Sequence, residues 1–97
     1  MKAYINSDIP AKVTVTTTAQ TLAQLTTEAI PLIVNAFEVY ADGGDIRYTQ
    51  NPNNTPDATT GFVLADGETR VFVGMRPEDL KFRAGANTTM QIELGII

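Results

Sequence analysis

Apolar and polar side chains alternate one by one through Lys12–Thr18, Ile46–Thr49, Leu80–Ala84 and Thr89–Leu94, and in Thr69–Val73 the residues Val71 and Val73 oppose Arg70 and Phe72, with turn signals between the runs. Side chains repeating every second residue line one face of a strand, so each run reads as a strand with one buried side. Between Ile46–Thr49 and Phe62–Leu64, the dipeptides Asn51-Pro52 and Thr55-Pro56 cannot continue a ladder, because proline lacks the amide donor. The stretch Gly44–Leu64 therefore reads as a short strand, an exposed polar loop and a return into apolar sequence. About six to eight short strands at this spacing indicate an all-β fold, an antiparallel β-sandwich or jelly roll in a single domain.

Residues 1–11 mix Tyr4, Ile5 and Ile9 with Asn6, Ser7, Asp8 and Pro10, and read as an N-terminal arm ahead of a sandwich over residues 12–97. Ala19–Leu25 loses β-branched residues and spaces Leu22 and Leu25 for one or two helical turns ending before Pro31, so a short helix or a crossing loop fits here. Leu32–Ala41 is apolar on both faces of its first half, which suits a central strand. Asp42-Gly43-Gly44-Asp45 supplies the positive φ of a tight hairpin into Ile46, and Asp66-Gly67 predicts a second hairpin joining Phe62–Leu64 to Thr69–Val73. The expected core contains Phe37, Val39, Tyr48, Val71, Phe82 and Ile92, with Met90 and Leu94 also inward. On this assignment Tyr40 and Phe72 fall on the outer faces that carry Glu38 and Arg70. Either another layer covers those faces or they meet a partner.

The residues that usually do chemistry are scarce: there is no His, no Cys and a single serine, Ser7, so Ser-His-Asp and Cys-His nucleophiles are excluded. The neighbouring carboxylates Asp42 with Asp45, and Glu78 with Asp79, lie in turns, where acids bond local amides. Asn51, Asn53, Asn54 and Asp57 offer a hard cation only one formal charge, enough for no more than a weak calcium site, and no cofactor motif is present. A net charge of −4 argues against a nucleic-acid partner, although Arg70, Arg76, Lys81 and Arg83 cluster late in the chain. No apolar run reaches the ~18 residues a membrane-spanning helix needs, and no apolar leader stands at Met1–Asp8. With no disulfide to brace a domain of 97 residues, subunit association is the expected source of added stability.

Val13–Leu22, Gly43–Thr49, Thr59–Thr69 and Leu80–Ala84 together resemble a group of small tailed-bacteriophage virion proteins, and the resemblance spans most of the chain beyond residue 12. It implies a non-enzymatic structural protein of the virion, made in the host cytoplasm: a capsid decoration or cement protein that binds the major capsid protein, or a head-tail component. It also implies a homo-oligomer, with a trimer favoured because such proteins sit where shell subunits meet. The expected contact residues are Tyr4, Ile5, Ile9, Tyr40, Phe72, Ile96 and Ile97. Ile46–Thr49 with the Pro56 loop is similar to a motif in sandwich domains appended to bacterial glycoside hydrolases, which implies a carbohydrate-binding accessory domain instead. There the chain departs from the motif, carrying Asn51-Pro52-Asn53-Asn54 in place of Asp-Gly, and it has no Trp to stack on a sugar.

Overall fold

The computed structural model describes residues 1–5 and 8–97. Nine strands occur among them: β1 (Lys2–Ala3), β2 (Lys12–Val15), β3 (Gln20–Thr21), β4 (Ala36–Asp42), β5 (Ile46–Thr49), β6 (Phe62–Leu64), β7 (Thr69–Val73), β8 (Lys81–Ala84) and β9 (Thr88–Ile96). They form two antiparallel sheets packed as a β-sandwich. The first runs β1-β9-β4-β7, with β2 also on β9; the second runs β3-β8-β5-β6. A short helix, α1 (Leu22–Thr26), closes one side where β3 ends. Its Thr21 cap side chain accepts from the Gln24 amide at 3.1 Å, and the Gln24 side chain accepts from the Thr21 amide at 2.8 Å.

Both expected hairpins are corners instead. β4 pairs with β7 and β9, whereas β5 pairs with β6 and β8, so Gly43-Gly44 carries the chain from one sheet to the other. Asp66-Gly67 does the same between β6 and β7. Gly43 and Gly67 do take positive φ, +104° and +82°, so the turn chemistry was as read; the strands it joins are not partners. The two corners lock each other, because Asp66 accepts from the Gly43 amide at 2.9 Å and Asp45 accepts from the Asp66 amide at 2.8 Å. The true hairpin is β5–β6, across the Asn/Pro loop.

Phe37, Phe82, Leu22, Ile46, Leu64, Leu80 and Met90 fill the space between the sheets. Tyr48, Phe72 and Phe82 form its aromatic centre, with Phe72 edge-on to Tyr48 at 5.1 Å. Here the sequence assignment of β7 is reversed. Phe72 is 3% exposed and faces Phe37 across the ladder, whereas Val71, expected in the core, is 49% exposed and lies opposite Glu38. Turning the strand this way buries the larger side chain, which gains more from leaving water. Leu32 and Ile33 also depart from expectation: a turn closed by the Val34 amide on the Pro31 carbonyl at 3.0 Å leaves both exposed, and the strand begins at Ala36.

Residues from the expected arm lie along the sheet. Lys2 and Ala3 pair with Ile96 and Gly95, the Tyr4 amide donates to the Leu94 carbonyl at 2.7 Å, and the Ile92 amide donates to the Ala11 carbonyl at 2.7 Å. Tyr4 and Ile9 pack against the core, so this segment supplies β9 with partners continuous with β2.

Candidate partner-binding site

Large exposed side chains gather at the end of the first sheet where Ala36 is flanked by Val73 and Gly95. Asn35 organises that end through all of its polar groups. Its backbone amide donates to the Gly95 carbonyl at 3.1 Å and its carbonyl accepts from the Gly74 amide at 2.9 Å. Its side chain accepts from the Ile97 amide at 2.8 Å and donates to the Ile97 carbonyl at 3.2 Å. The last residue of the chain is thereby fixed beside the Pro31–Val34 turn. Around this clamp Leu32 is 84% exposed, Ile33 61%, Ile97 67%, Val73 54% and Met1 52%. The Met1 side chain occupies the space that a Cβ on Gly95 would need, and so caps the outer face there. Concentrating aliphatic surface in this way is costly to leave in water and is characteristic of protein contact sites.

Of the residues expected to meet a partner, Ile96 and Ile97 lie at this apolar end, Ile96 being only half-buried. Ile5 is 91% exposed farther along the β9 edge, while Tyr4 and Ile9 are half-buried against the core. Tyr40 is half-buried on the outer face of the first sheet between Thr69 and Gln91. Phe72 is core and has no surface to offer. Leu32, Ile33 and Val73 were missed; the signal available was Pro31, which forces a turn just where two adjacent large aliphatics would otherwise have been read as strand.

The turn carboxylates are engaged locally. Asp45 holds the Asp66 amide, Asp42 accepts from the Gln91 side chain at 3.3 Å, and Glu78 pairs with Arg76 at 2.5 Å. The Arg76 hydrogen bond holds the Glu78 carboxyl below its ordinary value. Among the described residues no group of three or more His, Cys, Asp or Glu side chains gathers to hold a metal ion. Ser7 lies outside the described residues.

A second surface is the groove beneath the Asn/Pro loop, about 590 Å³, lined by Gln50, Asn51, Asn54, Thr60 and the 62%-exposed ring of Phe62. The loop is shaped by its own side chains: Asp57 accepts from the amides of Thr59 and Thr60 at 2.9 and 2.7 Å, which hold its carboxyl below the ordinary value. Asn51 accepts from the Asn53 amide at 2.9 Å, and the Lys81 ammonium ties the loop to β8 through the Pro52 carbonyl at 2.8 Å. Comparison of the chain with family models, curated proteins and solved structures finds no match.

Proposed function

We infer that this protein is a non-enzymatic structural component of a tailed-phage virion, a decoration or cement protein that seats its apolar end on the major capsid protein. The observation that carries this reading is the cluster of Met1, Leu32, Ile33, Val73 and Ile97, with exposures of 52–84%, around the Asn35 clamp. Burying each large aliphatic side chain against a shell contributes roughly 1.5–3 kcal/mol before ordering costs, and does so without charge. The Asn35 hydrogen bonds join the ends of β4, β7 and β9 beneath this surface, which suits adhesion. The trimer and the placement on the shell follow from the resemblance of Val13–Leu22 and Thr59–Thr69 to small virion proteins. The test is to incubate shells lacking this protein with wild type and with Leu32→Ser/Ile33→Ser, then measure bound copies and the temperature at which shells open. Wild type should bind and raise that temperature, in high salt as in low, and the variant should do neither while remaining folded. Equal decoration by both proteins, or none by either, overturns the reading.

The loop groove favours a second reading, a carbohydrate-binding module, because an exposed ring flanked by side-chain amides can stack on a sugar face and bond its hydroxyls. Loss of oligosaccharide binding in Phe62→Ala, with shell binding retained, would select it.

A further inference from the structure

The two outer sheet faces carry opposite charge in matching arrangements. On the first sheet Glu38 of β4 lies directly across from Glu93 of β9, and the two line one shallow groove with Tyr40 and Gln91. On the second, Arg47 of β5 lies directly across from Arg83 of β8, and both line a groove of their own, with Lys81 two residues along β8. Like charges placed opposite each other across a ladder repel, so each pair is unfavourable in an isolated chain. Neither is relieved internally. The Glu38 and Glu93 carboxylates have no hydrogen-bond or ion-pair partner among the described residues. Arg47 and Arg83 donate only to the carbonyls of Gly61 and Thr17, at 3.1 and 3.2 Å. Lys12 on the acidic face lies beyond Gln91, and Asp45 at the rim of the basic face is committed to the Asp66 amide.

The geometry points to head-to-tail stacking of copies of this chain, the Glu38/Glu93 face of one against the Arg47/Arg83 face of the next. In both pairs the charges project from neighbouring strands about 5 Å apart, so two carboxylates can meet two guanidiniums in register. A sandwich is thinnest across its sheets, and the extents of 33 × 27 × 21 Å leave a face large enough for a standard contact of about 800 Å² per partner. Because the faces lie on opposite sides, the contact is heterologous and propagates instead of closing as a two-fold dimer. It uses neither the apolar end nor the shell, so it stands apart from the functional proposal.

Sedimentation of purified protein tests it with two charge reversals, Glu38→Lys/Glu93→Lys and Arg47→Glu/Arg83→Glu. Wild type should associate with concentration near 0.01 M salt and dissociate near 1 M, where the screening length is roughly 3 Å. Each reversal alone should weaken association by roughly tenfold or more, and an equimolar mixture of the two should restore it. The variant Glu28→Lys/Asp79→Lys, which makes the same change in charge off both faces, should by itself associate as wild type does, and its dissociation would overturn the proposal. Should a reversal fail to fold by circular dichroism, the neutral forms Glu38→Gln/Glu93→Gln and Arg47→Gln/Arg83→Gln replace it, and both must lose association. Wild type that stays monomeric at low salt, reversals that still associate alone, or a mixture that does not recover overturns the proposal. So does wild type that stays monomeric while an anionic polymer binds its arginine face.

Discussion

Changing Phe72 to Ala and, separately, Val71 to Thr tests the orientation of β7 with two adjacent residues. Phe72 is 3% exposed and sits edge-on to Tyr48 and Phe82, at 5.1 and 6.3 Å between ring centres. Truncation removes the whole ring from a closed space lined by two other rings and Phe37. A loss of roughly 3–5 kcal/mol is expected for such a residue. That is a large share of the ~5–15 kcal/mol total typical of a domain, and corresponds to a melting temperature lower by about 4–8 °C for each kcal/mol. Val71 is 49% exposed, and threonine matches its shape and strand preference, so the second change should stay within about 0.5 kcal/mol. Threonine is the informative substitute, because its hydroxyl would cost about 1–3 kcal/mol if buried without a partner. Equilibrium urea unfolding by far-ultraviolet circular dichroism gives both values, provided the denaturant slope is unchanged. A loss above about 2 kcal/mol for Val71→Thr together with one below about 1 kcal/mol for Phe72→Ala would refute the orientation.

Deleting residues 1–11 should destabilise the fold by at least about 2 kcal/mol, since it bares the β9 edge and uncovers core packed by Tyr4 and Ile9; an unchanged melting temperature would contradict this. Gly61→Ala should cost more than about 1 kcal/mol, because φ is +114° and the added Cβ would lie 2.9 Å from the Tyr48 carbonyl oxygen; a neutral result by urea unfolding would mean that the loop shifts freely. The Asp57 carboxyl is depressed mainly by the Thr59 amide, so its support of the loop is full above the ordinary value of 3.8 and is lost as the pH falls through the lower folded value. Amide shifts of Thr59 and Thr60 should follow that titration, whereas in Asp57→Ala they should not titrate in this window.

The strands that could be read from sequence are those whose alternation is unambiguous. Leu80, Phe82 and Ala84, and Met90, Ile92 and Leu94, are all buried as their spacing requires. Thr69–Val73 carries apolar residues at both parities, so alternation allowed either face, and the choice fell to a non-local partner, Phe37, that the strand's own sequence does not reveal. The glycine turns were legible for the same reason their destination was not: a positive φ reverses the chain, but whether it returns beside itself or crosses to another sheet depends on which strands arrive later. Ile96 and Ile97 read as contact residues because they are apolar side chains at an end of the sequence that a sandwich core does not reach. Leu32 and Ile33 join them only because Asn35 bonds a residue 62 positions away. The facing charge pairs were hidden likewise, since Arg47 with Arg83 and Glu38 with Glu93 are neighbours only across ladders.

β9 holds β1 and β2 on one side and β4 on the other, and it follows all three in sequence. Until residues 88–96 have left the ribosome, the first sheet consists of β4 and β7 alone, and the Met1–Val15 segment has no ladder to join. The nascent chain can form its β5–β6 hairpin and α1 during synthesis, but it cannot close its core. Closure of the first sheet therefore waits for residues 88–96 and depends on contacts between segments far apart in sequence. A translation stall within β9 yields a species with open sheet edges, prone to pair with its neighbours on the same polysome.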